Sequence, residues 1–187
     1  MEVENGGNKE VVVANKRSFR CSDLVLRFLA LALTLVAAIV LGVNKETKNV
    51  SMEILPKLSP LTVPVTAKWH YLSAFVYLVV VDSIACAYAA ISLVITLANR
   101  GNKKGLTLLI MISDLIMVGL LFSGGGAATA VGLIGYEGNT HLRWNKVCNI
   151  FDRYCHQVAA SLFLSLLGAT IFLVMVSLST LNLAKKH

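Results

Sequence analysis

Residues 106–134 read LTLLIMISDLIMVGLLFSGGGAATAVGLI, and the one charged side chain in that run is Asp114. A bilayer hydrocarbon core of about 30 Å, at a helical rise of about 1.5 Å per residue, requires roughly 20 apolar residues to cross. This run is long enough. Leu24–Val43, Tyr71–Leu97 and Val158–Leu183 are windows of the same kind. Together the four windows take up most of a 187-residue chain that is 56% hydrophobic and 14% charged. Its mean hydropathy is +0.72, and no room is left for a separate soluble domain. The expected fold is an all-α membrane protein, a four-transmembrane-helix bundle. It has a tail over 1–23, helices near 24–43, 71–97, 106–134 and 158–183, and a short tail over 184–187. The first window could instead be a cleaved signal peptide behind Lys16, Arg17 and Arg20. Against this, its apolar run exceeds the roughly 7–15 residues of a signal core and lacks a convincing small-residue cleavage site.

Short loops rich in Lys and Arg tend to stay cytoplasmic. Arg100, Lys103 and Lys104 crowd the connection between the second and third windows; Lys16, Arg17 and Arg20 precede the first, and Lys185 and Lys186 follow the last. Both termini are therefore expected in the cytosol. The opposite loops carry Lys45, Lys48, Lys57 and Lys68 spread over a longer connection. Two features agree with an extracytosolic position for them. Asn49-Val-Ser51 is an N-glycosylation sequon, although such a tripeptide also arises by chance, and Cys148 and Cys155 form a close pair that suggests a disulfide in an oxidising compartment. The formal net charge of +7 is scattered along membrane edges, with no arginine-rich tract, zinc-finger spacing or aromatic-basic platform. Anionic inner-leaflet lipids account for it more simply than nucleic acid does.

A charge at the centre of a spanning helix costs about 2.5–3.5 kcal/mol, so such residues usually face the bundle interior and pair. Arg27 lies about 5 Å into the first helix and Asp114 about 12 Å into the third, a gap that an extended guanidinium can cross. An intramembrane Arg27–Asp114 ion pair would set the register of those helices. Because a buried pair is weak evidence for stability, its expected role is packing specificity, not catalysis. The competing reading for Arg27 is snorkelling to the inner headgroups. Asp82, near the middle of the second helix, has no obvious basic partner at its depth. It is either a neutral acid bonded to Ser83 or to a hydroxyl on another helix, or, with Asp114, a station in an ion path. Small residues recur at Gly124-x-x-x-Ala128-x-x-x-Gly132, Ser161-x-x-x-Ser165-x-x-x-Ala169 and Ala85-x-x-x-Ala89, spacings that let helices approach within one bundle or between copies. At Gly124–Gly126 a kink or a very close contact is expected.

Between the last two windows stands a polar, aromatic-studded segment, Gly138–Gln157, GNTHLRWNKVCNIFDRYCHQ. On a straight helix the Cα atoms of Cys148 and Cys155 would be about 10 Å apart, beyond the roughly 4.4–6.8 Å that a disulfide tolerates. A bond there requires Asn149–Tyr154 to bend. It would make the loop a stapled cap whose Trp144, Phe151 and Tyr154 either anchor at the interface or meet a partner. His141, Cys148, Cys155 and His156 show neither Cys-x2–4-Cys nor His-x3–5-His, so no metal is expected. Cys86 reads as a packing residue, and Cys21 as a cytosolic thiol or a palmitoylation candidate. No nucleophile-base arrangement, P-loop, dinucleotide fingerprint or haem-attachment motif is present. The expectation is a non-enzyme without a cofactor.

The segment GNTHLRWNKVCNIFDRYCHQ, with Val158-Ala-Ala-Ser161 after it and Gly124-Gly-Gly-Ala-Ala-Thr-Ala130 and Gly135-Tyr-Glu-Gly138 before it, resembles the second extracellular loop of the plant Casparian strip membrane domain protein-like (CASP-like) family. The resemblance extends over the four-helix region, including Arg27 early in the first helix and Asp114 in the third. It implies a MARVEL-like, multi-pass plasma-membrane protein with both termini cytosolic. It further implies that the chain forms homo- and hetero-oligomers with itself and with related members, and that cell-wall-modifying proteins are candidate partners. The first outer loop, about Asn44–His70, lacks the aromatic-rich signature of strip-forming members, so what the resemblance implies is membrane scaffolding more than strip formation. A small ion or solute transporter or channel using Asp82 and Asp114 is the alternative, although no internal repeat of the transporter kind is found.

Overall fold

The computed structural model describes residues 3–52, 61–98, 104–138 and 146–184. Four helices dominate: α1 (Val3–Gly42), α2 (Ser73–Ala98), α3 (Lys104–Glu137) and α4 (Asp152–Ala184). Each contains a stretch long and apolar enough to cross a membrane, namely Cys21–Gly42, Ser73–Ala98, Gly105–Glu137 and Asp152–Ala184. The chain is thus a multi-pass membrane protein. The helices extend past the apolar windows where polar sequence remains compatible with helix. α1 continues back through the basic segment to Val3, and α4 starts at Asp152, well before Val158, with an acidic side chain in its first turn, where it complements the helix dipole. Arg100, Lys103, Lys185, Lys186, His141 and Trp144 lie outside the described residues.

The helices pack as a ring in chain order, α1 on α2, α2 on α3, α3 on α4 and α4 on α1. The two remaining pairs are diagonal. Two buried apolar clusters fill the centre. One gathers Ala30, Val81, Ala85, Leu121, Ala169 and Phe172, and the other, toward the end of the bundle where α1 finishes and α4 begins, gathers Leu41, Phe75, Leu78, Ala128 and Val158 with Phe151 and Tyr154. The small-residue stripes are used inside this bundle. Ala85, Ala89, Ala128, Ser161, Ser165 and Ala169 are all buried.

At Gly124–Gly126 the outcome is close contact, and α3 runs through without a break. A Cβ on Gly125 would sit 3.0 Å from Leu166 Cδ2 of α4, and one on Gly124 would sit 3.4 Å from Leu78 Cδ1 of α2. Gly125→Leu is therefore expected to destabilise the bundle by up to about 2 kcal/mol, because overpacking of roughly 1–3 kcal/mol is set against a gain of about 1 kcal/mol from removing a helical glycine. A denaturation midpoint in mild detergent reads this directly, and no loss would mean that α3 and α4 separate without cost.

The first outer loop, expected from the sequence to be a plain connection, is in part a β-hairpin. β1 (Lys45–Met52) and β2 (Leu61–Lys68) pair antiparallel with Glu46 opposite Ala67 and Lys48 opposite Val65. In β2 the apolar residues Leu61, Val63, Val65 and Ala67 alternate with Thr62, Pro64, Thr66 and Lys68, the period of a strand with one covered face. Val65 and Ala67, with Trp69 of the short 3₁₀ turn that leads into α2, pack against the cluster around Phe75 and Tyr154. The hairpin is thereby laid over the end of the bundle.

Candidate functional site

Two assemblies of polar side chains stand out, one inside the bundle and one at its hairpin end. In the first, Arg27 points inward and is only 3% exposed. Its Nη2 lies 3.2 Å from Asp114 Oδ2, and its Nη1 donates to Ser92 Oγ at 3.0 Å and approaches Asp114 Oδ1 at 3.4 Å. One turn back on the same helix, Asp23 Oδ2 accepts from Arg27 Nε at 3.1 Å. Tyr88 Oη stands 2.7 Å from Asp114 Oδ1 and 3.0 Å from the Ile110 carbonyl oxygen, so its single proton serves one acceptor at a time. The guanidinium thus gathers α1, α2 and α3. Since α1 and α3 are diagonal in the ring, the pair joins two helices that do not otherwise pack face to face.

Asp82 lies apart from this network and is fully buried. Ser165 of α4 donates to its Oδ1 at 2.8 Å, while Ser83 bonds back to the Val79 carbonyl oxygen. Of the two hydroxyl partners considered for Asp82, the one on another helix is present. Asp82 Oδ2 has no hydrogen-bond partner among the described residues. Asp114, which an ion path would need to be open, is held by Arg27 and Tyr88.

The second assembly covers the start of α4. Gly138, at φ 75°, ends α3, its N–H bonding to the Ile134 carbonyl oxygen in the left-handed conformation that glycine adopts without strain. The Val147 and Cys148 amides then return to the Gly135 carbonyl oxygen at 2.9 and 3.4 Å. Turns over residues 148–150 bring Cys148 onto the first turn of α4, where it is joined to Cys155 with a Cα–Cα distance of 5.6 Å. This bend carries Phe151 and Tyr154 inward, each to 5% exposure. Their expected role as outward partner contacts is therefore corrected: both rings are core residues, and Trp144 lies outside the described residues.

From the hairpin side, Glu46 Oε2 accepts the Tyr154 backbone N–H at 2.8 Å, and Asn44 Nδ2 donates to the Tyr154 carbonyl oxygen at 3.1 Å. The first four N–H groups of a helix have no partner within it. A carboxylate from a strand 108 residues away fills one of those positions. Asn49, on the same hairpin, is exposed. Glu46→Ala is expected to cost about 1 kcal/mol, the usual worth of a helix cap, and to raise hydrogen exchange at the Tyr154 amide. Unchanged exchange would mean that the bond contributes nothing.

Sequence patterns did not single out Tyr88, Ser92, Asp23, Ser165, Asn44 or Glu46 as members of these networks. Asp23 is accessible through its four-residue spacing to Arg27, and Tyr88 and Ser92 stand four residues apart on α2. No local signal marks Glu46 or Asn44 as partners of α4.

Residues 16–171 match the Casparian strip membrane protein domain. The chain belongs to the CASP-like family. CASP-like protein 1E2 of Vitis vinifera is 54% identical over 195 aligned residues that cover both chains completely. CASP-like protein 1E2 of Glycine max is 50% identical, again over all of both chains, and CASP-like protein 1E2 of Arabidopsis thaliana is 51% identical over 86% of this chain and 85% of that one. No solved structure matches the chain. For this CASP-like protein, Arg27 and Asp114 fall inside the matched domain, as do both disulfide cysteines and the hairpin.

Proposed function

We propose that this CASP-like protein is a non-catalytic membrane scaffold that self-associates and associates with related members in the plasma membrane, organising membrane subdomains and local cell-wall modification. The reading rests chiefly on the Arg27–Asp114 pair across the bundle diagonal, which neutralises intramembrane charge while fixing the helices as one unit. Such an arrangement suits a building block better than a site that must bind and release. Family membership supports the same reading.

Both termini lie in the cytosol in this proposal, with the hairpin and the Cys148–Cys155 bond outside, where a disulfide persists. The segments that carry Lys16, Arg17, Arg20 and Lys104 then lie on the side of the anionic inner leaflet. Asn49 stands on the side where glycosylation takes place. Because the small-residue stripes are taken up within the bundle, copies meet through lipid-facing helix surfaces or through the cap.

Fluorescence recovery after photobleaching of the full chain in plant plasma membrane, paired with its oligomeric state in nanodiscs, tests the proposal. Slow or absent recovery and a defined oligomer are expected. Freely diffusing monomers in both settings would overturn it.

A further inference from the structure

An apolar cavity of about 600 Å³ opens beside the stapled cap, a volume and wall chemistry typical of ligand sites. Its walls include Val131 and Gly132 of α3, Val158 and Leu162 of α4, and the disulfide itself, and Lys146 is its one charged wall residue among the described residues. The space exists partly because α3 lacks side chains there. A Cβ on Gly135 would meet nothing within 4 Å, whereas deeper in the bundle α3 and α4 close together at Gly125 and Leu166.

The cavity's extent identifies its occupant. Along α4 it is lined from Tyr154 to Leu162, about 12 Å at the helical rise, from the polar first turns of the helix into the apolar run that begins at Val158. A membrane-crossing helix of a second copy would need a contact of about 30 Å, whereas the glycerol and upper acyl chain of a lipid span this interfacial stretch. The exposed Lys146 precedes α4 at the outer end, at the level where a phosphate would meet it.

We propose that this groove holds one acyl chain of a glycerophospholipid from the leaflet at the disulfide end, with the phosphate paired to Lys146. The bound lipid fills the space between α3 and α4 and presses against the Cys148–Cys155 bond. This goes beyond the scaffold reading and does not depend on it, because a monomer would bind the lipid equally well.

The test uses the full chain in phosphatidylcholine nanodiscs containing a small fraction of phosphatidylcholine with a diazirine on its acyl chain, followed by mapping of the labelled residues. Labelling at Val131, Val158 and Leu162 is expected to exceed that at the lipid-facing Ile91 and Val94 of α2, which are 60% and 63% exposed, by about tenfold, equivalent to about 1.4 kcal/mol of preference. Ala159→Phe, at an exposed position on the groove wall, should abolish the excess without unfolding the bundle. Lys146→Gln should reduce it by up to about fivefold, the worth of an exposed ion pair. Equal labelling of groove and α2, displacement of the label by a sterol but not by unlabelled phosphatidylcholine, or groove residues crosslinking to a second copy would each overturn the proposal.

Discussion

Replacing Arg27 by methionine is expected to destabilise the bundle by about 3–5 kcal/mol, the cost of leaving one member of a buried ion pair uncompensated. Asp114 is fully buried and, among the described residues, would keep only Tyr88 as a side-chain partner. The reverse substitution is milder. In Asp114→Asn the amide can still meet Tyr88, and Arg27 retains Asp23 and Ser92, so about 1.5–3 kcal/mol is expected, the worth of a hydrogen bond to a charged group. Unfolding of the two variants by increasing SDS in mixed micelles gives both values. Equal and small losses would mean that Arg27 reaches the headgroups in the membrane and that the pair is dispensable.

Removing the disulfide by Cys148→Ser with Cys155→Ser is the second large change. Closing a loop of seven-residue separation restricts the unfolded chain by about 2–3 kcal/mol in the chain-entropy account. The loss should also be local. The first turn of α4 would fray first, since Cys148 no longer holds the turn against it, and exchange at residues 152–156 should rise before exchange near Phe172 does. The Glu46 and Asn44 bonds to Tyr154, the Val147 and Cys148 bonds to Gly135 and the buried Phe151 and Tyr154 rings would then hold the cap. An unchanged denaturation midpoint in the double variant would show that these non-covalent contacts suffice.

How much of this fold is legible in the sequence follows from how strong each physical constraint is. Twenty or so consecutive apolar residues have few folded solutions, so the spans of α1 to α4 are readable, although α4 begins earlier than its apolar run because Asp152–Gln157 is polar yet helical. The cost of a lone charge in hydrocarbon makes Arg27 and Asp114 natural partners from their residue types and depths alone. The hairpin is harder. β2 alternates cleanly, but Pro64 within it argues against a strand except at an edge, and no tight-turn dipeptide joins it to β1. Phe151 and Tyr154 look exposed in the sequence because a loop residue's direction depends on the bend at 148–150, which the cysteine spacing requires only if the disulfide forms. Glu46 at the start of α4 is a contact between distant segments, and composition and periodicity carry no information about it.

Arg27 and Asp114 lock α1 and α3 together across the bundle, a link that the four neighbouring helix interfaces do not supply. A double-mutant cycle with Arg27→Met, Asp114→Leu and the combined variant, unfolded in the same micelles, tests it most directly. The combined loss is predicted to fall well below the sum of the single losses, with a coupling of about 1.5–3 kcal/mol. Losses that add within about 0.5 kcal/mol would contradict it, because the two side chains would then be acting independently.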